Sequence, residues 1–207
     1  MQYLTSEEVK SLELKANLIR QSIIEMLTEA GSGHTAGPLG MADIFTLLYF
    51  GILKHDPQNP DWEERDRVVL SNGHVCPGLY ATLAHAGYFP VDELLTLRKL
   101  GSRLQGHPHR GTLPGIETSS GPLGSGVSQA VGMALAERVD NPYSSKFFYC
   151  LTGDGELNEG QIWEALLLAG KEQLNNLILI VDRNGIQIDG YTKDVMPLEP
   201  LAEKFES

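Results

Sequence analysis

Two apolar runs, Phe147-Phe148-Tyr149-Cys150-Leu151 and Leu177-Ile178-Leu179-Ile180-Val181, are followed by polar turns and separated by one amphipathic stretch. The first run leads into Gly153-Asp154-Gly155, the second into Asp182-Arg183-Asn184. Short apolar runs bounded by such turns read as buried strands, the second with no polar residue before Asp182. Between them, Ile162, Trp163, Ala165, Leu166 and Ala169 mark a helical apolar face, and Asn158, three residues before Gln161, is the expected N-cap. A helix joining two strands makes them parallel and puts the loops that follow them side by side. Ligands of open α/β sheets bind at that edge, so Asp154 and Asn184 are expected to meet there.

The residue types suit a metal-bridged diphosphate. A hard divalent cation takes oxygen ligands in octahedral geometry, one or two from side chains and the rest from phosphate and water. Asp154 offers a charged oxygen, Asn184 a neutral one, and the backbone carbonyl near Ile186 a third. Gly153 and Gly155 let the chain approach phosphate closely, and a helix start just beyond favours negative charge. A lone Gly-Asp-Gly would be only an Asp-Gly turn; the second element at the matching distance favours the metal.

A formal charge of −11 over 207 residues argues against nucleic acid or an anionic membrane surface, either of which would call for a basic patch. It also disfavours capture of a diphosphate by Lys and Arg alone. Hydrophobic residues at 42% and charged residues at 21% fit a globular chain with a sizeable core. The two cysteines, Cys76 and Cys150, lie in apolar surroundings and read as buried thiols of a reducing compartment. The polar, acidic start, Met1 to Glu8, is unlike a signal peptide, and no apolar run is long enough to span a bilayer. These features together predict a cytoplasmic protein.

Thr5 and Glu8 have capping-box spacing ahead of a long amphipathic helix ending at Gly31-Ser32-Gly33. Further helices are expected over 41–53, 77–85 and 92–100, with a strand over 67–70 delivering the loop Ser71–His74. Residues 101–125 hold six Gly and three Pro and should form an irregular ordered loop. The helix after it steps Gly126, Ala130 and Ala134 along one side, suited equally to packing inside the chain or to a subunit interface. His34, His74 and His107 each lie in glycine-rich loops, where binding groups collect. His109, His55 and His85 read as surface or packing residues, and Glu156 as part of a solvated helix start.

Six words in order carry a resemblance: Ser32-Gly33-His34, Leu70-Ser71-Asn72-Gly73-His74, Leu104-Gln105-Gly106-His107-Pro108, Gly121-Pro122-Leu123-Gly124, Gly153-Asp154-Gly155-Glu156-Leu157-Asn158-Glu159-Gly160 and Asp182-Arg183-Asn184-Gly185. The chain resembles the transketolase family, specifically the N-terminal subunit of split transketolases. The resemblance implies an α/β thiamine-diphosphate-binding fold, a mostly parallel central sheet with helices on both faces. It implies one diphosphate-binding domain over 1–207, lacking its last strand and loop, so that the sheet would end in an uncovered edge. It further implies transfer of a two-carbon ketol unit between sugar phosphates, as in the pentose phosphate pathway, with thiamine diphosphate as electron sink and Mg²⁺, or Ca²⁺ or Mn²⁺, as its anchor.

Residue by residue, the resemblance assigns His34, His74 and His107 to the cofactor and substrate channel. There a near-neutral pKa suits proton exchange. His74, Gly121, Pro122, Leu123, Gly153, Asp154, Gly155 and Asn184 would contact the cofactor, and Asp154, Asn184 and Ile186 the metal. Gly121-Pro122-Leu123 could equally be a tight turn. Glu159 falls where the family links two cofactor sites, yet a first-turn Glu also favours the helix dipole. Thr35-Ala36 replaces the family's usual Pro-Gly after the histidine, which predicts a less rigid loop. The activating glutamate and most sugar-phosphate contacts would come from a C-terminal pyrimidine-binding subunit, in a heteromer; the expected assembly is a homodimer or a heterotetramer. Alternatives are a 1-deoxy-xylulose-5-phosphate synthase-like enzyme and a non-catalytic thiamine-diphosphate-binding subunit.

Overall fold

The computed structural model describes residues 4–188 and 190–207. The chain divides into two compact units, one of Met1–Asp66 with Gly73–Gly121, the other of Arg67–Asn72 with Pro122–Ser207.

The first unit is helical. Helix α1, Ser6–Ala30, starts on the predicted capping box: the Thr5 hydroxyl accepts from the Glu8 amide at 3.3 Å, and the Glu8 carboxylate accepts from the Thr5 amide at 2.7 Å. Gly31 ends it at φ 62°, the left-handed conformation glycine adopts without strain. Its buried face, Ile19, Ile23 and Met26, packs with helices α3, Ala42–Leu47, and α4, Cys76–His85. Gly78 in α4 lets Phe45 of α3 come close, since a Cβ there would stand 2.9 Å from the ring. The single helix expected over 41–53 is two pieces, α3 and one π turn, Leu48–Ile52, and a further short helix, α2, Ala36–Gly40, precedes them. Apolar periodicity reports a buried face but not the hydrogen-bond step along it. The helix expected over 92–100 is only a 3₁₀ stretch, Val91–Thr96, closed by Arg98 at φ 59°.

The second unit carries the sheet, strands β1, Arg67–Leu70, β2, Phe148–Gly153, and β3, Leu177–Asp182, in the order β1-β2-β3 and parallel throughout. Its core joins Val69, Phe148 and Cys150 to helix α5, Ser125–Asp140, and helix α6, Gly160–Lys171. Tyr149 and Leu151, which alternate onto the other face, are buried as well. The small-residue stripe of α5 packs within the chain: Ala130 and Ala134 are fully buried, and a Cβ on Gly126 would lie 2.5 Å from that of Ser71. β3 departs from expectation. It pairs only with β2 among the described residues, is half-buried for most of its length, and leaves Ile178 exposed. An apolar run specifies that a strand wants cover, not that the same stretch of chain supplies it.

After β3 the chain forms a two-residue hairpin, β4, Ile186–Gln187, and β5, Gly190–Tyr191, then helices α7, Thr192–Val195, and α8, Leu201–Glu206. Among the described residues no helix is long and apolar enough to cross a membrane.

Candidate functional site

The parallel register of β2 and β3 pairs Gly153 with Asp182, so the turns that follow leave the sheet together. Asp154, 1% exposed, is the point of contact. Its backbone amide donates to the Asp182 carbonyl at 3.1 Å, and its Oδ2 accepts from the Gly185 amide at 2.7 Å. Oδ1 accepts from the Gly155 amide at 2.8 Å, and Arg183 donates to Oδ2 at 3.0 Å. Asn184 turns its own loop, with Oδ1 accepting from the Ile186 amide at 2.9 Å and Nδ2 donating to Asp182 at 3.1 Å. The turns of Asp154 and Asn184 thus meet as the strand–helix–strand pattern predicts. Asp154 and Asn184 offer a carboxylate and an amide oxygen on adjoining loops, donors of the kind a hard cation takes. Beyond Gly153 the space where a Cβ would point is open. The residues therefore fit a metal-bridged diphosphate.

Two expectations about this turn are corrected. Asn158 does not cap α6; it ends a 3₁₀ turn, Gly155–Asn158, and Glu159 holds the capping position with no side-chain capping bond. Glu159 is exposed at the positive end of the helix. Glu156 is not solvated. It is 3% exposed and accepts hydrogen bonds from the Ser71 and Thr152 hydroxyls and the Gly124 and Gly153 amides. Charge and helix-start position suggested water, whereas the hydroxyls at Ser71 and Thr152 were the signal that could have found the site.

In the first unit the three loop histidines come together. The His34 and His74 rings lie 5.1 Å apart, centroid to centroid, and His34 and His107 6.3 Å apart. Burial first, then the neighbouring His34 and Arg98, hold the His107 pKa below its ordinary value. After His34 the chain enters α2 at Ala36. His109 is exposed. His55 is a packing residue, with ring nitrogens 3.0 Å from the Tyr88 hydroxyl and 2.7 Å from the Tyr49 carbonyl, and His85 meets the Ser22 hydroxyl at 2.9 Å. Both cysteines are buried, and burial pushes the Cys76 thiol up to about 12 and that of Cys150 up as well, which leaves neither as a nucleophile.

The family model for the transketolase thiamine diphosphate binding domain matches residues 12–207. The chain belongs to the transketolase family. It is 46% identical over 202 residues to the 6-deoxy-6-sulfo-D-fructose transketolase subunit SqwG of Clostridium sp. (strain MSTE9), covering 98% of this chain and 73% of that protein. To an apulose-4-phosphate transketolase subunit of Actinobacillus succinogenes it is 43% identical, covering 95% and 71%. Transketolase 2 of Escherichia coli is 43% identical over 201 residues, but the chain spans only 30% of its length. Among solved structures, transketolase from Leishmania mexicana superposes with a TM-score of 0.89 at 40% identity, over 99% of this chain and 31% of that one. This transketolase-family chain thus matches split subunits over most of their length and single-chain transketolases over about a third. Its fold is the α/β thiamine-diphosphate-binding fold.

Proposed function

We propose that the chain, acting over residues 1–207 as one diphosphate-binding domain, is the N-terminal subunit of a cytoplasmic transketolase. Two of its relatives are named as subunits that act on sugars with an acidic group, a 6-deoxy-6-sulfo-D-fructose and an apulose 4-phosphate. The reaction proposed here is transfer of a two-carbon ketol unit between such anionic sugars. The observation that carries the reading is the 2.7 Å bond from the Gly185 amide to Asp154 Oδ2, which joins the two turns of the divided motif.

Asp154, Asn184 and the Ile186 carbonyl would hold Mg²⁺, with Ca²⁺ or Mn²⁺ as substitutes, and through it the diphosphate. Gly153 and Gly155 would let the backbone close on the phosphate oxygens, and His74 with Gly121, Pro122 and Leu123 would contact the rest of the cofactor. Thiamine diphosphate, when bound, supplies the electron sink for carbon–carbon cleavage. His34, His74 and His107 would donate hydrogen bonds to sugar oxygens and exchange protons there. Burial and the neighbouring His34 and Arg98 favour the neutral His107 ring, which can donate a hydrogen bond from one nitrogen and accept a hydrogen bond or a proton at the other. A pyrimidine-binding partner subunit would complete the site. The test is ketol transfer by the purified chain with and without that partner: activity only in the mixture supports the reading, and activity of the isolated chain contradicts the need for a partner.

A further inference from the structure

Glu156 stands two residues after Asp154 in the same turn, yet the two carboxylates serve different parts of the unit. Asp154 is held by Gly155, Gly185 and Arg183, that is, by its own turn and the segment after β3. Glu156 faces the other way. Oε1 accepts from the Gly124 amide at 2.6 Å and from the Ser71 hydroxyl, just beyond β1; Oε2 accepts from the Thr152 hydroxyl at 2.5 Å and the Gly153 amide at 3.2 Å. Three segments of chain converge on one buried side chain, and the four donors named are all neutral. Burying a carboxylate among neutral dipoles costs desolvation that only well-placed hydrogen bonds offset, so the arrangement demands fixed geometry of every donor.

The donor of most consequence is Gly124. It adopts φ 84°, and a Cβ there would lie 2.8 Å from that of Glu159, so the chain is pressed onto the start of α6. The two residues before it are tied as well. The Leu123 carbonyl accepts from Gln161 Nε2 at 3.1 Å, and the Pro122 carbonyl from the Ser125 hydroxyl at 2.8 Å. Pro122–Gly124 is therefore a short stretch with its backbone fixed at each residue, while the Leu123 side chain is 38% exposed.

We propose that Glu156 is a positioning residue: it fixes the backbone of Pro122–Gly124 for the ring portion of the cofactor, independently of the metal that Asp154 holds. This rests on the cofactor reading given above. Glu156 touches no reacting atom. It pre-orders a strip of backbone, so that ordering is not charged against binding.

The proposal separates two ligands that share a diphosphate. In the assembled enzyme, thiamine diphosphate and inorganic diphosphate are titrated with Mg²⁺ into wild type, E156Q and D154A, alongside thermal unfolding. Gln keeps the size of Glu but turns an amide N–H₂ toward groups that are themselves donors. The expected result is that E156Q loses at least tenfold in thiamine diphosphate affinity and clearly less in inorganic diphosphate affinity, about threefold at most, since Glu156 also holds the Gly153 amide beside the phosphate turn. D154A should lose both. A purely structural role would lower the melting temperature and weaken both ligands alike, and that outcome overturns the proposal, as does unchanged binding of both. Should E156Q not fold, Q161A, which removes only the donor to the Leu123 carbonyl, must show the same split, and equal affinities overturn the proposal. If D154A keeps both ligands, the metal assignment fails, a result distinct from failure of the Glu156 split. If wild type binds neither ligand, the cofactor reading and this proposal fall together.

Discussion

Arg183 donates to the Asp154 carboxylate at 3.0 Å and divides its guanidinium with Glu199 on the surface. Hydrogen bonding to Glu199, then to Asp154, raises the Arg183 pKa, so its charge is constant across the working range. A divalent cation on Asp154 would contend with that guanidinium for Oδ2. R183Q is predicted to bind Mn²⁺ alone more tightly than wild type by several-fold, read by the paramagnetic signal of the free ion. Weaker binding in the variant would mean that Arg183 supports the metal rather than competes with it.

His34 and His107 lie in loops and His74 in a 3₁₀ turn, Gly73–Val75; His34 is exposed and the other two half-buried, so truncation opens no fully enclosed core cavity. H34A, H74A and H107A are predicted to unfold within a few degrees of wild type, while at least one loses about 10²-fold or more in turnover, the usual effect of removing a proton-transfer group. Near-wild-type turnover in all three, with the partner present, would remove them from the channel.

The depressed pKa of His107 has a pH consequence. Its folded-state value lies below the unfolded one, so the unfolded chain binds the proton more readily. Its contribution to stability is complete above the unfolded value, about 6.5, and is lost as pH falls through it toward the folded value. An NMR titration should find the His107 ring titrating below that reference and moving upward in R98Q, which removes one of the two neighbouring charges. An unshifted ring in wild type would contradict the account.

The close approach of α5 to Ser71 sets a steric test. A Cβ on Gly126 would stand 2.5 Å from the Ser71 Cβ and 2.6 Å from its Cα, and that backbone also carries a Glu156 ligand. G126A is predicted to destabilise the chain by about 1–3 kcal/mol, the usual cost of overpacking. Denaturant unfolding measures it; a neutral or stabilising change would show that α5 can shift without cost.

How much could be read in advance follows the range of the physics. The capping box at Thr5, the parallel strands and the meeting of the Asp154 and Asn184 turns come from local patterns, and the structure has them. The π turn after α3 and the abbreviated helix at Val91–Thr96 depend on hydrogen-bond step and packing, which periodicity does not encode. Glu156 shows the sharper limit. A charged residue in a turn reads as solvated, and only the convergence of the distant Ser71 and Gly124 with nearby Thr152 makes it a buried acceptor. Half-exposed β3 fails for a related reason, because apolar composition states a demand for cover without naming its source.

The most direct test of the central claim is calorimetric titration of thiamine diphosphate into the assembled protein, with Mg²⁺ and with a chelator, for wild type and D154A. The account predicts saturable binding by wild type that needs the metal. It predicts affinity reduced by about 10²-fold or more in D154A, since the change removes the charged ligand itself and loss of outer-shell partners alone costs about 10–100-fold. Equal affinity with and without Mg²⁺, or unchanged affinity in D154A, would contradict it.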